Sequence, residues 1–225
     1  MRYLNKIVFI NSAAIRYSEV QLDGNIHLIG TQGVGKSTIL RAILFFYNAD
    51  TQRLGIPVEK KSYQDYYFPY ADSSIIYEVA REDGWFTVLS YKTMNRICYR
   101  FIASPYRPDL FIDEEGAPYP SDRIRSVLDK NGIKYSGAIS TYEEYRNILY
   151  GNSDNKRDYS CYSLMESGSY QNIIRTIQNV LLNSRLEADY IKQTIITSLN
   201  EADSVIDLSR YRSHLSGFEA QLNDI

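Results

Sequence analysis

The stretch LIGTQGVGKSTIL, residues Leu28–Leu40, sets the organisation of the chain. Within it, Gly30–Ser37 fits the pattern G-x-x-x-x-G-K-[ST], in which successive backbone N–H groups surround the phosphates of a nucleotide. Glycines permit the backbone conformations that this loop needs. Lys36 would add a catalytic cation over the β- and γ-phosphates, and Ser37 a hydroxyl for Mg²⁺. The predicted nucleotide-binding residues are Gly30, Thr31, Gln32, Gly33, Val34, Gly35, Lys36, Ser37 and Thr38.

The sequence on either side of the loop supports this interpretation. The run Ile26–Ile29 predicts a short buried strand before the loop. After it, apolar residues predict a well-buried helix whose N-terminal dipole points at the phosphates: Ile39, Leu40, Ala42, Ile43, Leu44 and Phe46. The alternative is a glycine-rich turn that matches by chance, but a mere turn does not need Lys36 and Ser37.

The composition is that of an ordinary globular protein, with 44% hydrophobic and 23% charged residues among 225. The net charge of −2 argues neither for nor against nucleic acid as a partner. Cys98 and Cys161 have no metal-binding spacing and are predicted to be reduced thiols. Since no stretch approaches the ~20 apolar residues of a membrane span, we expect a cytoplasmic protein with no membrane partner.

Before the loop, the sequence predicts three strands, Lys6–Ile10, Glu19–Leu22 and Ile26–Ile29, with a turn at Arg16–Tyr17. The segment Asn48–Tyr70 shows no clear period and is predicted to be an exposed connection. Further strands are predicted at Ser74–Val79, Trp85–Tyr91, Ile97–Ala103 and Leu110–Ile112, and helices at Ser121–Asn131, Thr141–Leu149 and Glu187–Leu199. The run Ile173–Leu182 fits either a strand or a short helix.

The tail carries a second informative pattern, because its apolar residues are spaced as in a heptad seam: Leu208, Tyr211, Leu215, Phe218, Leu222 and Ile225. This pattern predicts the start of a coiled coil over residues 206–225, after a globular region over residues 1–205. An amphipathic helix packed on its own domain is the alternative.

This order of elements resembles the N-terminal half of the head of an SMC-type ATPase, within the ABC-like family. Gly30–Thr38 is similar to the family's G-P-N-G-x-G-K-S/T stretch, with Gln32 in place of Asn. Thr176–Leu181 is similar to its Q-loop, although Asn179 stands where the family has Gly. Gln178 would then contact Mg²⁺ and the attacking water; an exposed glutamine at a strand end is the alternative. Tyr66–Tyr70 and Ile173–Asn183 look closest to bacterial defence ATPases of the Wadjet kind.

The resemblance implies an α/β P-loop NTPase fold of ABC/SMC-head type, with an antiparallel β-meander and the start of a coiled coil. ATP and Mg²⁺ would be the cofactors. The C-terminal half of the same head would carry the signature and Walker B motifs, and a second head would complete the ATPase as a homodimer. Leu110–Glu114 imitates the Walker B motif, and Leu215–Glu219 imitates the signature. In ABC proteins the signature comes before Walker B, whereas here the order is inverted, so we interpret both segments as mimics. Arg16 could approach the adenine or the α-phosphate.

Two further interpretations remain open from the sequence. A P-loop GTPase would use Asp113–Gly116 as D-x-x-G and Asn155–Asp158 as N-K-x-D, although a polar segment precedes the second motif. DNA could contact a group of cations, since phosphate contacts need only clustered positive charge: Lys60, Lys61, Lys92, Arg96 and Arg100. Solvated surface charges are the alternative for that group.

Overall fold

A five-stranded antiparallel sheet forms the centre of the structure, a computed structural model that describes residues 2–24, 26–48, 51, 54, 56, 61–94, 96–151 and 159–164. Its strands lie in the order β2-β1-β3-β4-β5. They are β1 (Tyr3–Ser12), β2 (Ile15–Gln21), β3 (Ser74–Arg81), β4 (Gly84–Thr93) and β5 (Arg96–Ile102). All described residues belong to the first of two units, Met1–Ser184 and Arg185–Ile225, into which backbone contacts divide the chain.

Four α-helices accompany the sheet: α1 (Lys36–Asn48), α2 (Tyr63–Tyr67), α3 (Ser121–Lys130) and α4 (Tyr142–Leu149). Two short 3₁₀ helices, Pro108–Leu110 and Ser160–Tyr162, complete the described elements. Among the described residues, no helix is both long enough and apolar enough to cross a membrane.

Both faces of the sheet are covered, which explains why β3 is buried along nearly its whole length. Successive strand residues point to opposite faces, so neighbours along β1 contribute to different cores. Ile7 and Phe9 join the core on the face that carries α1, whereas Val8 and Ile10 join the core on the face that carries α3.

The core on the α1 face contains apolar side chains from three helices. The buried contributions come from Ala42, Leu44, Phe45 and Phe46 of α1, Tyr63 and Tyr67 of α2, and Tyr145, Ile148 and Leu149 of α4. The α1 helix is therefore held against the sheet by its central and C-terminal turns, which leaves its N-terminal turn beside the glycine loop.

Several predicted elements are confirmed. The three strands from Ser74 to Ala103 are present as β3, β4 and β5, joined by tight hairpins. The helix predicted at Ser121–Asn131 is α3, and Gly132 follows it with a φ of 65°. The helix predicted at Thr141–Leu149 is α4, and the Thr141 side chain caps it by accepting a hydrogen bond from the Glu144 N–H at 3.3 Å.

Two predicted strands are wrong. Ile26–Ile29 has no regular secondary structure, and Ile29 is 90% exposed. None of the five described strands pairs with this segment, and an unpaired segment does not form a strand. Leu110 ends a 3₁₀ helix that begins at Pro108, whose fixed φ suits the first position of a helix. Ile112 makes only an isolated bridge to Pro118.

The prediction of an exposed connection over Asn48–Tyr70 is also wrong in part. This segment contains α2, and Leu54, Tyr63, Tyr67 and Phe68 are buried in the core on the α1 face. The α2 helix is too short for a helical period to be detected in the sequence, because it has only 5 residues.

Several predictions lie outside the described residues. These are the Ile173–Leu182 run with Gln178, the Glu187–Leu199 helix, the heptad seam from Leu208, the signature mimic Leu215–Glu219, and the Asn155–Asp158 motif. They stay predictions.

Candidate phosphate-binding site

The glycine loop leads directly into α1, as the motif requires. Gly33 and Gly35 have φ values of 89° and 95°, a region that side chains other than glycine rarely adopt. A Cβ at either position would meet no atom within 4 Å, so the backbone conformation rather than space demands glycine there. At Gly30, by contrast, a Cβ would lie 2.8 Å from Cγ2 of Val34.

Lys36 is the first residue of α1, and its side chain folds back over the loop. Its Nζ donates hydrogen bonds to the carbonyl oxygens of Gly30 at 2.6 Å and Thr31 at 2.7 Å. The N–H groups of Thr38 and Ile39 both donate to Gly35 O, which begins the helix. The ammonium therefore lies where it can meet an anion held by the loop at the positive end of the helix dipole.

The α2 helix contacts the same end of α1. The Tyr67 hydroxyl donates to the main-chain oxygen of Thr38 at 2.7 Å, and the Tyr66 hydroxyl lies 3.3 Å from Oγ1 of Thr38. Burial raises the pKa of Tyr67, so its phenol remains a hydrogen-bond donor at neutral pH. Thr38 is thus joined to a part of the chain nearly thirty residues away.

No sequence pattern predicts that these two tyrosines contact the loop helix. One local signal was available, since Ser62 followed by Asp65 has the spacing of a helix cap. In the structure, the Ser62 side chain accepts from the Asp65 N–H at 3.1 Å. Tyr63 and Tyr67, four residues apart, then face the core together.

Among the described residues, four tyrosine hydroxyls donate to main-chain oxygens of α1. Three of the acceptors, Thr38, Ala42 and Phe46, are spaced by four and so lie along one side of the helix. Tyr67 donates to Thr38 at 2.7 Å, Tyr77 to Ala42 at 3.0 Å, Tyr145 to Phe46 at 2.6 Å and Tyr150 to Tyr47 at 2.7 Å. The last two pairs satisfy carbonyl groups of the final helical turn.

Arg16 lies within β2 and not in the predicted turn. The turn is at Ala13–Ala14, where Ala13 has a φ of 55°. The exposed Arg16 side chain lines a cavity of about 460 Å³ together with Tyr70 and Asp72. Tyr67 connects this turn with the loop helix, because its carbonyl accepts from Oγ of Ser12 at 2.8 Å while its hydroxyl bonds to Thr38.

Residues 12–217 match the protein family described as "Protein of unknown function (DUF3584)". The chain belongs to the DUF3584 family. No curated protein matches the sequence. The DUF3584 match covers the whole glycine loop, α1 and α2, as well as Gln178 and the first part of the heptad seam.

In this DUF3584 chain, Asp113 stabilises its own turn. Its Oδ1 accepts hydrogen bonds from the N–H groups of Glu115 at 3.1 Å and Ala117 at 2.7 Å, and Gly116 has a φ of 80°. Leu110 lies in a 3₁₀ helix rather than in a strand. This geometry supports the interpretation of Leu110–Glu114 as a mimic of Walker B.

The predicted group of DNA-facing cations is only partly at the surface. Arg100 is 5% exposed, stacks over the ring of Tyr135 and donates to the Tyr91 hydroxyl, so its assignment to a DNA surface is wrong. Lys92 forms an ion pair with Asp65 at 3.3 Å. Lys61 and Arg96 are exposed, and Lys60 lies outside the described residues.

Proposed function

We propose that this DUF3584 chain is the ATP-binding N-terminal half of an SMC-like ATPase head of the ABC type. The observation that carries the proposal is the geometry of Gly30–Thr38, which combines left-handed glycines, a helix that begins at Lys36 and an ammonium folded over the loop. An antiparallel sheet that begins with the β1–β2 hairpin supports the resemblance to this type of head.

The residues of the loop fit Mg·ATP. Lys36 Nζ can exchange the carbonyl oxygens of Gly30 and Thr31 for phosphate oxygens with a short movement, since it already lies over the loop. Ser37 is exposed in the first turn of α1, where its hydroxyl is available as a Mg²⁺ ligand. Bound Mg²⁺ supplies neutralisation of the phosphate charge. The chain's own contribution is to position the triphosphate and to stabilise its negative charge.

Exposed apolar residues beside the loop support the proposal that another part of the protein completes the site. Ile26, Ile29 and Val34 are 40%, 90% and 58% exposed, and apolar surface next to a binding site is typical of a protein interface. In the proposal, the C-terminal half of the same head covers this surface, and the segment Ile26–Ile29 then pairs as a strand. A second head would complete each ATP site, and Gln178 would contact the Mg²⁺ and the attacking water.

Hydrolysis would therefore depend on the assembled heads, while binding of ATP would not. The assembled protein would use ATP hydrolysis to organise or repair DNA, or to act against plasmids or phages, in the cytoplasm. Arg16 would contact the adenine or the α-phosphate from the cavity beside the β1–β2 turn.

The alternative is a P-loop GTPase that uses Asp113–Gly116 and Asn155–Asp158. It receives less support, because the Asp113 carboxylate already accepts two main-chain hydrogen bonds within its own turn. Competition between the two nucleotides distinguishes these functions, since a GTPase requires at least about tenfold preference for GTP, equivalent to 1.4 kcal/mol.

The deciding experiment is titration calorimetry of the chain with Mg·ATP and Mg·GTP. We expect binding of ATP that Lys36→Ala abolishes, because the main cation of the site is lost. Lys130→Ala, a change of an exposed lysine at the end of α3, is the matched control and should bind like the wild type. Equal ATP affinity of Lys36→Ala and wild type would overturn the proposed function.

A further inference from the structure

Tyr66 contacts the phosphate-binding loop from outside its sequence motif. Its hydroxyl lies 3.3 Å from Oγ1 of Thr38, the residue that follows Ser37 in the first turn of α1. We propose that Tyr66 is a positioning residue of the triphosphate site, which acts by orienting the Thr38 hydroxyl toward a phosphate oxygen. This inference rests on the proposed ATP-binding function.

The proton count of the two hydroxyls gives the chemical reason. Each hydroxyl carries one proton, and one of the two protons is used in the bond between them. When Tyr66 donates to Oγ1 of Thr38, the Thr38 proton is left for a third group. A phosphate oxygen held by the loop is such an acceptor, and hydrogen bonds to charged acceptors are the stronger kind.

Without Tyr66, the Thr38 hydroxyl has a competing partner within its own helix. Threonine hydroxyls in helices commonly turn back toward carbonyl oxygens three or four residues earlier. For Thr38 this includes Gly35 O, which already accepts the N–H groups of Thr38 and Ile39. Because the Tyr66 hydroxyl lies within hydrogen-bond distance of Oγ1, rotation of the Thr38 side chain would cost this bond, so Tyr66 holds Thr38 ready for the ligand.

The surroundings of Tyr66 keep its hydroxyl in place. The neighbouring Tyr67 is buried, donates to Thr38 O at 2.7 Å and stacks on Tyr63 with ring centroids 4.1 Å apart. The Tyr66 ring meets the Tyr67 ring edge-on at 5.0 Å. Tyr66 itself is 39% exposed, so its hydroxyl can be removed without opening the core.

The test is a double-mutant cycle between Tyr66 and Thr38, read by calorimetry with Mg·ATP on the whole 225-residue chain. Tyr66→Phe should weaken ATP binding about three- to tenfold, the size expected for one lost hydrogen bond. Tyr142→Phe is the matched control, since Tyr142 is 44% exposed and lies on α4, outside the loop motif and the cavity beside Arg16, and its affinity should equal that of the wild type.

The effect of Tyr66→Phe in two variants of Thr38 distinguishes a positioning role from a general effect on the structure. In Thr38→Ser, which keeps the hydroxyl, Tyr66→Phe should still weaken binding about three- to tenfold. In Thr38→Val, which lacks the hydroxyl, Tyr66→Phe should have no further effect. Thermal unfolding of the ligand-free variants should match that of the parent chains.

Two outcomes would overturn the inference. One is unchanged ATP affinity in Tyr66→Phe while Lys36→Ala abolishes binding, which removes the role of Tyr66 and leaves the proposed function standing. The other is an equal loss from Tyr66→Phe in the Thr38→Val and Thr38→Ser backgrounds, because the effect would then not pass through the Thr38 hydroxyl. If Lys36→Ala binds ATP normally, the proposed function fails as well.

Discussion

The hydroxyl of Tyr145 donates a 2.6 Å hydrogen bond to the main-chain oxygen of Phe46, 99 residues earlier in the chain. Tyr145 is 1% exposed, and burial raises its pKa well above the usual value, so the phenol is a donor at every pH of interest. Because Phe46 lies in the last turn of α1, its carbonyl has no partner within the helix. This bond therefore joins α4 to the helix that follows the glycine loop.

Tyr145→Phe should lower the free energy of unfolding by about 1 to 3 kcal/mol, because it leaves a buried carbonyl unsatisfied while the ring remains. Tyr142→Phe, at a residue that is 44% exposed on the same helix, should change it by less than about 0.5 kcal/mol. Urea unfolding followed by circular dichroism measures both. Equal stability of the two variants would show that the Tyr145 hydroxyl contributes nothing.

Gly35→Ala should weaken Mg·ATP binding by about fivefold or more, because the free loop would relax out of the disfavoured backbone region and binding would have to restore it at a cost of about 1 to 3 kcal/mol. The φ of Gly35 is 95°, whereas Gly132, after α3, has a φ of 65°. Gly132→Ala is therefore the control: it carries a smaller strain far from the loop in sequence and should leave ATP affinity unchanged. Calorimetry that finds wild-type affinity for Gly35→Ala would contradict the left-handed loop geometry.

Glu19 should contribute a pH-dependent part of the stability. Burial raises its pKa, but hydrogen bonds from Lys6 and Tyr17 outweigh this and lower it below the ordinary value. A carboxylate with a lowered pKa in the folded state stabilises the protein above its unfolded pKa, about 4.3 for glutamate, and this contribution disappears as the pH falls through the folded pKa. The Lys6–Glu19 pair, at 2.8 Å, is only partly buried.

Glu19→Gln should therefore destabilise the chain at pH 7 by less than about 1 kcal/mol, as for other pairs near the surface. The difference from the wild type should be largest at pH 7 and should decrease as the pH falls below about 4.3, the unfolded pKa of glutamate. Urea unfolding at pH 7, 4 and 2.5 measures it. A difference that is constant over this range would mean that the Glu19 charge is not involved.

Much of the fold could be predicted because its signals are local. Runs of residues typical of strands, divided by turn residues, identified β3 to β5, and the spacing of Thr141 and Glu144 marks the start of α4. The glycine loop was also recognisable, since its glycines, Lys36 and Ser37 stand at the fixed spacing of a short motif. These signals need only a few neighbouring residues, which the sequence shows directly.

The failures come from interactions between distant residues. The run Ile26–Ile29 contains residues typical of a strand, but a strand needs a partner, and none of the described strands pairs with it. The contact between Tyr66 and Thr38 depends on how α2 packs against α1, which no periodicity reports. Arg16 was misplaced because the turn before it consists of alanines, residues that carry no turn signal.

The tyrosine hydrogen bonds spaced along α1 have a mechanical consequence. The helix is fastened to α2 at its first turn, to β3 at its middle and to α4 at its end. If the first turn is displaced, the helix cannot slide along the sheet without breaking several of these hydrogen bonds at once. Any displacement that a ligand imposes there should travel the full length of α1 as a rigid body, so that α4 moves with it.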